Sequence, residues 1–199
     1  MTLRLQCWLF AIGAALFAAG TAPGFATAFG AGATNVVCFA GSWFFTSAAL
    51  IQLRLSVDAY AGAGGDRSAW ADRLAARVQF IGTVLFNVST ATAVWAHRVP
   101  AERRFMWTPD ALGSVLFLLS SAISVAALLI WARGTATLLR DWCPAWINMA
   151  GSVAFGVSAV GAFVRRTGVT ADEWLANVGT FVGALCFMLA ALMALPRGD

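Results

Sequence analysis

Six apolar stretches of this chain carry the same nine-residue phrase: glycine first, a small residue second, phenylalanine fifth and two small residues at the close. The copies are GAALFAAGT from Gly13, GSWFFTSAA from Gly41, GTVLFNVST from Gly82, GSVLFLLSS from Gly113, GSVAFGVSA from Gly151 and GALCFMLAA from Gly183. Neighbouring copies are spaced unevenly, at 28, 41, 31, 38 and 32 residues. Alternate copies are spaced evenly, at 69 and 69 in one series and 72 and 70 in the other. The repeating unit is therefore a two-helix hairpin of about 70 residues, present three times.

At about 100° per residue, offsets 0, +1, +4, +7 and +8 fall in one sector about 120° wide. Small residues at four of those offsets leave a shallow trough along the helix, and the phenylalanine stands between its two small layers. In lipid, apolar burial does not draw helices together, so association depends on close packing of small residues. The phrase predicts a phenylalanine ring filling the glycine trough of a neighbouring helix. The expected packing residues are Gly13, Phe17, Gly41, Phe45, Gly82, Phe86, Gly113, Phe117, Gly151, Phe155, Gly183 and Phe187. Because successive helices run in opposite directions, the glycines of odd and even helices are expected in opposite leaflets.

Composition places these stretches in a membrane. Residues are 60% hydrophobic and 11% charged, against about 25% charged in soluble domains, and mean hydropathy is +0.78. The fold class read from this is all-α: a polytopic membrane protein of six transmembrane helices, at 5–22, 35–53, 78–96, 110–132, 144–164 and 175–195. It forms one membrane domain over 1–199, with hairpins at about 5–53, 78–132 and 144–195. Arg4, an apolar run and the small residues of 26–28 also fit a cleavable leader. The first run nevertheless keeps the shared packing register, which a discarded segment would not need, so it is read as a retained span.

The linkers differ in kind. Residues 23–34 are uncharged and punctuated by glycine, which predicts a short turn. Residues 54–77 read as the longest loop, with the stretch from Ser68 to Arg77 as a helix lying on the membrane and Trp70 at the headgroups. Residues 97–109 hold His97, Arg98, Glu102, Arg103 and Arg104, and residues 165–174 hold Arg165, Arg166, Asp172 and Glu173. All 13 basic residues are arginine, eight on the side of the termini and five opposite, which favours cytoplasmic termini in a bacterial inner membrane. A net charge of +4 spread over both faces suits anionic lipid headgroups and gives no argument for nucleic acid as a partner. Trp8, Trp70, Trp107, Trp142, Trp146 and Trp174 near span ends read as an interfacial belt.

Polar residues extend the repeat. Asn35, Trp107 and Asn177 stand six places before a glycine, and Gln79, Asp110 and Asn148 three places before one. Such groups cap helix starts or bond to a neighbour, and Asp110 in particular reads as an N-terminal cap. A polar pathway is the competing reading, and its candidates are Asn87, Ser120, Asn148 and Asn177. Asn87, near the middle of its span, is expected to bond another helix or to face a hydrated cavity.

Catalytic parts are missing from the sequence. No Asp, Glu, Lys, Arg or His sits at the centre of a span, where such groups mark relays and ion pathways. Cys7, Cys38, Cys143 and Cys186 lack metal-ligand spacing, and no nucleophile elbow, phosphate loop or paired carboxylate is present. The sequence therefore predicts no enzyme and no cofactor. His97, Glu102, Asp172 and Glu173 share one predicted side and are the only place where a metal would be sought.

GTVLFNVST, GSVLFLLSS and GSVAFGVSA, with Asn or Gln just upstream, resemble the YrhK-like membrane domain. Three such hairpins in tandem would cover nearly the whole chain, although the first departs most, with Ala-Ala where the third helix has Thr-Val. The resemblance implies architecture and supplies no active site. Two function classes follow. The first is a non-catalytic integral membrane protein, a scaffold or accessory subunit contacting lipids and other membrane subunits or further copies of itself. The second is a channel or carrier for a small neutral or apolar solute, lined by Ser, Thr and Asn.

Overall fold

A computed structural model describes residues 2–64, 66–95, 102–131, 138–165 and 167–196. The chain is an all-α, multi-pass membrane protein with six helices long and apolar enough to cross a bilayer. In chain order they are α1 (Leu3–Thr21), α3 (Ala31–Gly62), α4 (Arg67–Trp95), α5 (Thr108–Trp131), α6 (Cys143–Gly161) and α7 (Glu173–Met193), with a short α2 (Phe25–Phe29) in the first turn. A π-helical segment, Glu102–Trp107, runs directly into α5, and another, Leu138–Trp142, into α6.

Local chemistry explains the helix starts. Thr2 accepts a hydrogen bond from the Leu5 N–H at 3.2 Å, and Asp172 accepts one from the Leu175 N–H at 2.9 Å. Asp66 does the same for α4, accepting from Ser68 N–H at 2.9 Å. Gly24 and Gly30, at φ 87° and 84°, bracket α2 and let residues 22–30 turn the chain.

Three antiparallel pairs, α1/α3, α4/α5 and α6/α7, pack most closely, and α3/α4, α5/α6 and α7/α1 join them into a closed ring. Gln6 of α1 and Ala194 just after α7 line one cavity, so both chain ends lie at the same end of the bundle, here termed the terminal end. Every residue of the expected inward sector is buried, from Gly13, Ala14, Phe17, Gly20 and Thr21 in α1 to Gly183, Ala184, Phe187, Ala190 and Ala191 in α7.

Three sequence expectations are corrected. The glycines do not lie in opposite leaflets. A Cβ on Gly13 would stand 2.9 Å from the Gly41 carbonyl oxygen, with corresponding distances of 3.3 Å from Gly82 to Gly113 and 3.0 Å from Gly151 to Gly183. Each pair therefore meets at one level, because two backbones approach this closely only where both lack side chains. The supposed loop 54–77 is mostly helix: α3 continues past its apolar span to Gly62, and α4 begins at Arg67, well before its own. α3, at 32 residues, is about 48 Å long and exceeds an apolar core of about 30 Å. Ser68–Arg77 is thus the first part of α4, not a separate surface helix, and Arg73 sits over the Tyr60 ring at 4.7 Å across the extension. Asp110, finally, is no cap, since helical structure begins eight residues earlier, at Glu102.

Candidate functional site

The bundle axis is filled by six phenylalanines in two tiers. Phe17, Phe86 and Phe155, from the helices leaving the terminal end, form one triangle with ring centroids 6.5, 6.1 and 5.6 Å apart and planes nearly perpendicular. Phe45, Phe117 and Phe187, from the returning helices, form a second with centroids 6.5, 5.9 and 5.8 Å apart. Each ring lies over the glycine of its antiparallel partner. A Cβ on Gly113 would come within 2.7 Å of Phe86, and one on Gly82 within 2.9 Å of Phe117. Gly151 and Phe187, Gly183 and Phe155, Gly13 and Phe45, and Gly41 and Phe17 repeat the contact. Helical side chains lean toward the helix N-terminus, which brings a phenylalanine four residues past one glycine back onto the facing glycine.

Departure from threefold likeness falls in the first hairpin. Phe86–Phe117 and Phe155–Phe187 stack with planes 9° and 13° apart, whereas Phe17–Phe45 meet edge-on at 82°. Phe10 explains the difference, because it inserts edge-on against Phe45 at 5.5 Å. It occupies the place held by Gln79 in α4 and Asn148 in α6, three residues before the glycine.

On the terminal side of this core lies a cavity of about 200 Å³, lined by residues of all six spanning helices and partly open at its outer end. Phe10, Phe45 and Phe187 form its floor, and Gln52, Gln79, Ser120, Ser124 and Asn148 its polar wall. Ser120 donates to the Ala75 carbonyl at 2.9 Å or to Gln79 Oε1 at 3.0 Å; one hydroxyl proton serves only one of them. The Gln79 amide can accordingly turn its NH2 or its oxygen away from Ser120. Asn148 Nδ2 donates to Ser121 Oγ at 2.9 Å, which leaves its Oδ1 uncommitted. Gln52 Oε1 is buried with no hydrogen-bond partner. Beyond the cavity the axis closes: the void among the phenylalanines is only about 10 Å³, at or below what admits one water.

The four candidate pathway residues are not brought together. Ser120 and Asn148 line the cavity. Asn87 does not, and its Oδ1 is buried without a partner, so neither expectation for that residue is met. Asn177 is exposed near the start of α7 at the far end. Asn35 does bond across helices, donating to the Ala93 carbonyl at 2.8 Å, and Trp107 donates to Ala159 at 2.9 Å. Sequence reading missed Gln6 and Gln52. Gln52 stands eleven residues after Gly41 and Gln6 seven before Gly13, offsets that return within about 20° of the glycine face; extending the inward sector by one repeat would have found both.

His97 lies outside the described residues. Among those described, no three His, Cys, Asp or Glu side chains converge as metal ligands.

The seams between hairpins are unequal. Thr90 donates to Ser42 Oγ at 3.0 Å between α3 and α4, and Ser121 and Ser152 share a 2.8 Å bond between α5 and α6. Between α7 and α1 no side-chain hydrogen bond is present among the described residues, and the corresponding pair is Ala14 and Ala191. An interhelical hydrogen bond in lipid contributes about 0.6 kcal/mol on average and up to about 1.7. Replacing both Ser121 and Ser152 by Ala should therefore lower stability by about 1 kcal/mol in a detergent unfolding titration. An unchanged midpoint would show that the hydroxyl pair does not stabilise that seam. Compared with known protein families, curated proteins and solved structures, the chain matches none.

Proposed function

We propose that this chain is a non-catalytic integral membrane protein of scaffold or accessory-subunit type, built as three tandem YrhK-like hairpins. The carrying observation is the pair of phenylalanine tiers seated on six glycines. At the level of the tiers such a core spends the inward face of every span on packing, and among the described residues it leaves only a void of about 10 Å³ on the axis. In this reading the protein sits in a bacterial inner membrane with cytoplasmic termini and presents its outer faces to lipid, partner subunits or further copies. A second reading, a carrier for a small neutral solute, is favoured by one observation: Ser120 and Asn148 stand in a cavity reached from the terminal end.

Flux separates the two. Proteoliposomes containing the wild-type chain should take up glycerol no faster than protein-free vesicles in a light-scattering assay. Protein-dependent uptake that saturates would replace the scaffold reading with the carrier. Orientation has its own test. A reporter enzyme active only outside the cytoplasm, fused after Asp199, should stay inactive; activity there would reverse the assigned topology.

A further inference from the structure

We propose that the cavity on the terminal side of the phenylalanine core is a binding site for a small uncharged molecule with an apolar body and one amide or hydroxyl head. Size sets the first limit. An engineered apolar cavity of about 150 Å³ holds benzene, so about 200 Å³ admits a ring with one small substituent and nothing as large as an ordinary cofactor. Wall chemistry sets the second. Phe10, Phe45 and Phe187 offer ring faces and edges at the floor, while Gln52, Gln79 and Asn148 offer amides above them. No charged side chain lines the cavity among the described residues, and an ion brought there would lose its hydration without a counter-charge.

Uncommitted hydrogen-bonding groups supply the third argument. Gln52 lines the cavity, and its Oε1 is buried without a hydrogen-bond partner, a state that costs about 1–3 kcal/mol. A small turn of the amide breaks no bond to that oxygen and brings it to the cavity surface, where a donor can meet it. Asn148 Oδ1 is a second acceptor left over after its amide nitrogen is used. Gln79 can present either a donor or an acceptor, depending on which way Ser120 donates. A primary amide, with two donors and one acceptor, matches this set; a hydroxyl matches part of it. The helix pattern points the same way. The place occupied by Gln79 in α4 and Asn148 in α6 is taken in α1 by Phe10, so this layer of the lining is polar on two of the three outgoing helices and apolar on the third. A ligand with one apolar and one polar side fits such a lining better than a shell of water does.

This site goes beyond the architectural reading, because binding without transport leaves that reading intact and transport alone would overturn it. The test uses the full chain in nanodiscs with para-fluorobenzamide as the probe, read by fluorine NMR against empty nanodiscs to subtract lipid partitioning. Saturable broadening should appear, be competed by benzamide and benzyl alcohol, and be unaffected by benzoate or toluene. Gln52→Leu removes an oxygen that has no partner, so it should unfold no more easily than wild type while binding the probe about tenfold more weakly, a difference of about 1.4 kcal/mol. Absence of a saturable signal would mean that the cavity holds water only, and would overturn the proposal. Competition by toluene equal to that by benzamide, or unchanged binding in Gln52→Leu, would overturn it as well.

Discussion

Leucine at Gly82, Gly113 or Gly151 is expected to prevent assembly of a detergent-stable bundle, whereas leucine at Val115 or Val153 should be tolerated. A methyl group alone at these glycines would stand 2.7–2.9 Å from a phenylalanine ring carbon, closer than nonbonded atoms allow. Neither neighbour can withdraw: the ring is held by other rings on the axis, and the facing carbonyl belongs to a helix backbone. Overfilling a packed site costs about 1–3 kcal/mol when the surroundings can shift and more when they cannot. Val115 and Val153, by contrast, are 61% and 48% exposed and face outward. Gly156 offers an internal control, since a Cβ there meets nothing within 4 Å. Gly156→Ala should be neutral or stabilising by up to about 1 kcal/mol, as expected from helix propensity. Unfolding in mixed micelles at graded denaturing detergent would report all of these, and equal midpoints for Gly113→Leu and Val115→Leu would show that the glycine face is not the packing face.

Truncating the tiers should be nearly as costly. Phe117 and Phe155 each contact four other rings of the core and join one tier to the other at 6.3 Å. Phe→Ala at a buried site in water-soluble proteins costs about 3–5 kcal/mol. In lipid the transfer contribution shrinks, but the cavity and the lost ring contacts remain, so about 3 kcal/mol is expected for either residue. Phe→Leu should cost less at both, because it keeps volume while losing the aromatic contacts worth about 0.5–1.5 kcal/mol each. Phe29, which is 69% exposed in the first turn, should tolerate alanine. A loss below 1 kcal/mol at both Phe117 and Phe155 would mean that the rings fill space without holding the helices together.

The inward sector was legible because sequence offsets fix direction around a helix: Gly82, Thr83, Phe86, Ser89 and Thr90 share one face at any depth, and all are buried. Depth was not legible. Apolar runs such as 35–53 have blurred ends, so the level at which Gly41 meets Gly13 depends on a backbone contact that hydropathy does not encode. Helix length failed for a related reason. Charges at Arg54, Asp58 and Arg67 end the apolar run, but the Ala, Leu and Arg around them are good helix formers, and α3 and α4 continue together. In the cavity, Ser120 and Asn148 were found by register. Gln52 escaped because it lies beyond the last small pair of its phrase, and the tiering of the six rings escaped because it arises only when three hairpins close a ring. Asn87 shows the opposite limit: a central amide looks purposeful in sequence, yet its Oδ1 is buried without a hydrogen-bond partner among the described residues.

Reciprocal seating of phenylalanine on glycine is tested most directly by a double-mutant cycle between Gly113 and Phe86. Stability would be measured for wild type, Gly113→Ala, Phe86→Ala and the double variant, alongside Gly113→Ala combined with Phe29→Ala, an exposed ring of the first turn outside the core. If the Phe86 ring is what a Cβ at Gly113 strikes, the cost of Gly113→Ala should largely vanish once that ring is gone. The coupling should then fall within the range of about 0.5–3 kcal/mol seen for touching residues, while the combination with Phe29→Ala should be additive within about 0.5 kcal/mol. Additivity in the Gly113–Phe86 cycle would contradict the seating on which the whole bundle is built.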